Sequence, residues 1–259
     1  MRIIIASIKL FLLAIICLIT LPLLGLTRLF FMKTRFRYVV PKLFHGSICL
    51  IFGIRKKIKG EIVKGKQVLF IGNHLSYLDI PLLGSVLSAT FISKEEVQKW
   101  PMLGLLATIA KTIFISRAPA KAAKALQQMK ESIHNGTSLI VFPEGTSSSG
   151  EAVLPFKSSL FDIFLKEDSK NNMIIQPFTT NLVKVDTRPI QSLKDRNQYA
   201  WYGEMDLTPH LWAIAKSKGA DLEITFHSPI DISSYDNRKI LSKSCYERVV
   251  SGLMHQGER

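Results

Sequence analysis

Two polar clusters, each placed directly after an apolar run, hold the side chains best suited to chemistry in this chain. The first is Asn73-His74-Leu75-Ser76-Tyr77-Leu78-Asp79. A histidine can take a proton from an alcohol at neutral pH, and a carboxylate can fix its tautomer and stabilise the imidazolium. Their spacing sets how the two can meet. Residues five apart on a continuous helix point about 140° away from each other. His74 therefore belongs in a turn, with Asp79 in the first turn of a helix and Asn73 or Ser76 able to cap it. A capping histidine beside a surface aspartate would use the same residues without chemistry. The second cluster is Phe142-Pro143-Glu144-Gly145-Thr146. It offers a tight turn, a carboxylate and backbone N–H groups that can bind a polar ligand or hold an oxyanion, although Pro-Glu-Gly also makes an ordinary turn.

Two further segments are weaker signals. Residues 111–117 (KTIFISR) read as a short strand ending in Arg117, whose planar fork suits phosphate or carboxylate. With 34 basic residues in the chain, a strand-end arginine is more often a solvated charge. Residues 174–178 (IIQPF) read as a strand interrupted by Pro177, the pattern of an edge strand or a bulge. Residues 60–66 have Walker spacing, but Gln67 replaces the required Ser or Thr and a strand follows. There is no G-x-S-x-G elbow, and the other histidines lack metal-binding spacing. Neither a metal nor a cofactor is expected. Cys17, Cys49 and Cys245 are too far apart in sequence to suggest a disulfide framework or zinc module, which fits a reducing compartment.

These clusters need strand ends to carry them. Short β-rich runs at 67–72, 90–93, 112–116, 138–142, 173–179 and 221–227 alternate with helical patterns at 76–88, 95–110, 119–135 and 158–166. A closing helix follows at 239–255, and residues 169–172 and 188–197 read as surface loops. The alternation predicts an α/β fold with a largely parallel sheet covered by helices. Sites in such folds gather beyond the carboxyl ends of strands, where both clusters fall. The length of 259 residues suits one such domain with an appendage. Residues 1–60 are assigned to an N-terminal membrane anchor and interfacial segment, and residues 61–259 to the α/β domain.

The charge balance is +14, yet 47% of residues are hydrophobic. A soluble nucleic-acid protein has no need of that excess, and no aromatic-basic or finger pattern is present. An anionic membrane surface accounts for both features. Residues 10–27 carry no charge, and Pro22 is expected to bend that segment. Residues 43–54 are apolar but too short to span and should be interfacial or buried. Lysine and arginine are denser after the first segment, so the positive-inside rule puts the main domain on the cytoplasmic face. The 21% of charged residues excludes a disordered chain.

Taken in order, N-H-x4-D at 73–79, F-I-S-R at 114–117, F-P-E-G-T at 142–146 and the proline strand at 175–178 resemble the glycerolipid acyltransferase family, above all bacterial 1-acyl-sn-glycerol-3-phosphate acyltransferases. The resemblance implies transfer of a fatty acyl group from acyl-CoA or acyl-carrier protein to the free hydroxyl of a lysolipid, with phosphatidate as the leading product. It implies His74 as general base and Asp79 as its orienting partner. It further implies Arg117 as holder of the acceptor's anionic head group, Glu144, Gly145 and Thr146 as shapers of the acceptor site, and Pro177 as part of the neighbouring wall. Ser147 stands where related lysophosphatidate enzymes usually have arginine. The segments 154–161 (LPFKSSLF) and 201–212 (WYGEMDLTPHLW) look like a subgroup that includes lyso-ornithine-lipid acyltransferases, so an aminolipid acceptor is the alternative. A noncatalytic lipid-binding surface protein is the alternative of another class.

Overall fold

The computed structural model describes residues 1–31, 35–100, 102–116, 119–165 and 173–254, with the backbone alone for residues 31, 35 and 119–123. Nine strands form one sheet: β1 (Ile54–Lys59), β2 (Gln67–Gly72), β3 (Thr90–Lys94), β4 (Ile113–Ile115), β5 (Leu139–Val141), β6 (Met173–Val185), β7 (Arg188–Pro189), β8 (Ala220–Phe226) and β9 (Ile230–Asp231). The order across the sheet is β1-β8-β6-β2-β5-β3-β4, with β7 and β9 also paired to β6. All contacts from β6 through β2, β5 and β3 to β4 are parallel, as is β1 with β8, whereas β8 runs antiparallel to β6. The expected α/β class is observed.

After Gln67, β2 (QVLFIG) is apolar because helices cover both faces of the sheet. Val68 and Phe70 join one core cluster, and Leu69 and Ile71 join the other. The first cluster takes in α1 (Arg2–Phe31), α2 (Val39–Phe52) and α3 (Asp79–Gly84). The second takes in α5 (Pro119–His134), through Ala125, Met129 and Ile133 at i, i+4 and i+8. Between them in sequence lies α4 (Leu103–Ile109). After β6 come α6 (Leu193–Arg196), α7 (Leu207–Lys216) and, after β9, α8 (Arg238–Ser251).

Several expectations change in detail. The helix expected over 76–88 shrinks to Asp79–Gly84, because Asp79 bonds back to the amides of Leu75 and Ser76. The 95–110 segment splits into a 3-10 turn, Glu95–Lys99, and α4, with Met102 between them at φ +57. Of the 158–166 segment, described residues 158–165 hold a 3-10 turn, Ser158–Phe161, while residue 166 and the loop at 169–172 lie outside the described residues. The 188–197 loop holds a strand, a helical turn and a buried Arg196. β1 was hidden by its sequence, IRKKIK. Five of its six residues are exposed on the sheet's edge, and Lys57 and Lys59 pair with Glu223. Lysine on an exposed edge discourages pairing with other chains. The sheet thus begins at Ile54, before the division drawn at residue 60.

The N-terminal apolar segment forms α1, with Pro22 inside a helix that continues to Phe31. It buries Ala6, Cys17, Thr20 and Leu24 and packs against α2, α4 and α7. Its other face leaves Phe11, Leu18, Leu29 and Phe30 more than 60% exposed. In α2 the same division holds, with Phe44, Ile48 and Phe52 buried and Leu43 and Leu50 exposed. Contiguous exposed apolar surface of this extent suits lipid, so α1 is a candidate membrane anchor.

Pro177 sits inside β6, a central strand, contrary to the edge expectation. It pairs with Ile71 of β2 on one side, while on the other it falls in the gap between β9, which pairs with Ile174 and Ile175, and β8, whose pairing with β6 begins at Phe178. Its missing N–H therefore breaks no ladder. One position past the β2–β6 ladder, the Asn73 side chain takes over the strand's role. Its amide donates to Thr180 O at 2.9 Å and its oxygen accepts from Thr180 N–H at 2.8 Å. Asn73→Ala strips both partners from a buried peptide, so it should cost on the order of 2–4 kcal/mol, read as a lower unfolding midpoint of the detergent-solubilised protein.

Candidate active site

β2 and β5 are parallel neighbours, with Leu69 opposite Leu139 and Ile71 opposite Val141. This register brings the two motifs that follow them side by side. The His74 ring stacks on Phe142 at 4.1 Å between centroids and 11° between planes. The His74 backbone N–H donates to Glu144 Oε1 at 2.9 Å, and His74 O accepts from Ser148 N–H at 2.9 Å. The turn around His74 is thus stitched to the turn around Glu144 along main chain and side chain alike.

Asp79 fixes the histidine. Its Oδ2 accepts from Leu75 N–H at 2.7 Å and Ser76 N–H at 3.0 Å and lies 2.8 Å from His74 Nδ1, while Oδ1 accepts from Tyr199 Oη at 3.2 Å. Asp79 is fully buried. An oxygen already accepting from two amides acts as an acceptor for the ring too, so the proton sits on Nδ1. That leaves the Nε2 lone pair available in a ring that is 20% exposed and lines a groove of about 2470 Å³. Of the two expected caps, Asn73 instead bonds across to β6, while Ser76 Oγ accepts from Leu78 N–H at 3.4 Å just ahead of α3.

The second motif divides its labour. Glu144 is buried and faces inward, bonding the amides of His74 and of Leu154, the latter at 3.2 Å. Burial pushes its pKa up to about 8, against the pull of those two amides, and Asp79 adds a smaller push upward. Gly145 donates its N–H to Phe142 O at 3.0 Å and adopts φ +68, the left-handed region that suits glycine. A Cβ on Gly145 would come within 2.4 Å of Lys157 Nζ. Thr146 and Ser147 line the groove, and neither backbone N–H has a partner among the described residues. Glu144 and Pro177 are not in the groove's lining, unlike the acceptor-site roles the resemblance implies. Arg117 lies outside the described residues.

The sequence reading missed a strap across the site. Arg196 Nη1 donates to Gly150 O at 3.2 Å, Tyr199 reaches Asp79, and Trp201 N–H donates to Leu75 O at 2.9 Å. The hydroxyl of Ser147, the position where arginine was expected, donates to Trp201 O. Burial holds the Tyr199 pKa far above the usual phenol range, with the Asp79 carboxylate adding to it, so the hydroxyl stays a donor. No local pattern marks residues 120 positions away as partners of Asp79. Lys157, read only as part of a resembling segment, also lines the groove and makes no ion pair among the described residues. Among the described residues no group of three or more His, Cys, Asp or Glu side chains could hold a metal ion.

A carboxyl held neutral by folding binds protons that the unfolded chain has released. Between the ordinary glutamate value and about 8, the stability contribution of Glu144 therefore falls as pH rises. Unfolding midpoints measured from pH 5 to pH 9 should decline for the wild type, and Glu144→Gln should flatten that part of the decline.

The acyltransferase family model matches residues 53–181, a span that contains both motifs and their partner strand β6 up to Asn181. A lyso-ornithine lipid O-acyltransferase of Brucella abortus is 30% identical over 224 residues, 84% of this chain and 83% of that protein. Its counterpart in Rhodobacter capsulatus is 34% identical over 208 residues, 80% and 73% of the two chains. A 1-acyl-sn-glycerol-3-phosphate acyltransferase of Neisseria gonorrhoeae is 28% identical over 183 residues, 70% and 68%. The crystal structure of the 1-acyl-sn-glycerophosphate acyltransferase PlsC from Thermotoga maritima superposes with a TM-score of 0.71, covering 98% of this chain and 96% of that one at 21% identity, and so shares the fold. With the ordered motifs, the fold and these relatives in agreement, the chain belongs to the acyltransferase family.

Proposed function

We propose that the chain transfers a fatty acyl group from a thioester, acyl-CoA or acyl-carrier protein, to the hydroxyl of a lyso-aminolipid, with a lyso-ornithine lipid as the acceptor. The observation that carries the acceptor is the strap. The segment 201–212 that resembles the ornithine-lipid subgroup is bonded at Trp201 to the Leu75 carbonyl beside His74 and to Ser147, and its Trp201, Gly203 and Glu204 line the groove. Two relatives named for that acceptor, at 30% and 34% identity, support the same reading. Lysophosphatidate is the second reading, favoured by the Neisseria relative. The serine at position 147 places no cation where the lysophosphatidate enzymes usually carry one.

In this mechanism His74 Nε2 takes the proton from the acceptor hydroxyl as its oxygen attacks the thioester carbonyl carbon. Asp79 holds the ring through Nδ1–H and stabilises the imidazolium. The carbonyl oxygen becomes an oxyanion, with the unpartnered amides of Thr146 and Ser147 as its donors. Collapse breaks the C–S bond, and the imidazolium returns the proton to the departing thiolate. A thioester is already activated, so no enzyme nucleophile is required. Lys157 meets the acceptor's carboxylate, a role for which Arg117 is the other candidate. No metal or cofactor takes part. The groove also reaches Leu13, Leu24 and Thr27 of α1, which gives a lipid a path from an anionic membrane surface to His74. The lysine- and arginine-rich stretch after α1 supports a cytoplasmic face for the domain.

A lysolipid panel with a long-chain acyl thioester and product mass spectrometry should show lyso-ornithine lipid acylated in preference to lysophosphatidate. His74→Ala should lower kcat by about 10²- to 10⁴-fold with the unfolding midpoint unchanged. Near-wild-type turnover in that variant would remove His74 as the base.

A further inference from the structure

Tyr77, Trp100 and Trp201 come from three separate segments and meet beside the His74 turn, all three lining the groove. Tyr77 and Trp100 lie 6.0 Å apart at 82°, Tyr77 and Trp201 5.7 Å apart at 75°, and Trp100 and Trp201 6.0 Å apart at 82°. Three planes that are nearly perpendicular in every pair meet like the walls at the corner of a box. A cation seated in such a corner can approach three ring faces at once, within the ~6 Å at which the π quadrupole attracts it. The tyrosine wall is pinned, since Tyr77 Oη lies 3.0 Å from His210 Nδ1. Burial keeps the pKa of His210 low, so that ring brings no competing charge to the corner.

Glu204 lies three residues beyond Trp201 on the same strap. It is exposed, lines the groove and has no cationic partner among the described residues. The groove is otherwise mainly lined by lysine and arginine where charged, so an acid at this place runs against its general sign. We infer that the Tyr77–Trp100–Trp201 corner, with Glu204 at its rim, is the subsite that holds the side-chain ammonium of the acceptor lipid. This rests on the aminolipid reading above and names what selects it. Three aromatic faces and one carboxylate favour a primary ammonium. A phosphate headgroup would meet electron-rich rings and a like charge, so the same corner turns lysophosphatidate away.

The test uses the full chain in mixed micelles with palmitoyl-CoA and two acceptors, lyso-ornithine lipid and the same lipid acetylated on its side-chain amine. Acetylation removes the positive charge and keeps the reacting hydroxyl. The wild-type kcat/KM should fall at least tenfold on acetylation. In Glu204→Gln and Trp100→Leu the ratio of kcat/KM for the two acceptors should collapse toward one, while Trp100→Phe should keep most of it. Glu204 is an exposed turn residue, so its variant reports even if the tryptophan variant does not fold. Equal use of both acceptors by the wild type, or an unchanged ratio in Glu204→Gln, overturns the inference while leaving aminolipid acyl transfer in place. No use of lyso-ornithine lipid with ready use of lysophosphatidate overturns the acceptor reading itself, and this subsite with it.

Discussion

A fully buried carboxylate must find its donors nearby, and Asp79 finds four in the protein: two backbone amides, an imidazole and a phenol. An unpaired charge in that position would be costly enough to unfold or protonate it. The turn 74–76 is therefore obliged to wrap around the acid, and once wrapped it has one orientation for His74. The ring's remaining freedom is removed by Phe142, stacked against its face. Preorganisation of this kind matters because a base that must first find its rotamer contributes less than one already aimed.

The same economy governs the turn after β5. Glu144 has the chemistry of a ligand-binding acid, yet its oxygens face the interior and clasp the amides of His74 and Leu154. Its burial favours the neutral form, which spares the site a second full negative charge beside Asp79. What the motif offers the groove is its backbone: Gly145 turns the chain, and Thr146 and Ser147 present amides where charge would develop. The carboxyl here is a positioning device, and in the proposed mechanism the electrostatic work falls to N–H groups.

On the function proposed above, acceptor choice lies in a different part of the chain from the chemistry. The strap from Arg196 to Glu204 is bonded to both motif turns, and its Trp201 and Glu204 line the same groove as His74. On that reading, exchanging the strap would alter what is held without moving the base.

The amino-acid sequence by itself determined the sheet strands that carry the site, the turn position of His74, the place of Asp79 in the first turn of a helix and the apolar N-terminal helix. Each of these is a local matter, set by the period of apolar residues, by the 100° step of a helix and by turn chemistry within a few positions. Family resemblance then joined the two motifs before any coordinates did. Only the tertiary structure decided that Asn73 would complete a ladder with Thr180, that Pro177 could sit in a central strand opposite a gap, that IRKKIK would be an edge strand, and that Tyr199 and Trp201 would close over Asp79 and Leu75. These depend on partners 100 or more residues away in sequence. No local pattern encodes such distances, because they are fixed by strand register and by the need of each buried polar group to find a partner once the core has closed.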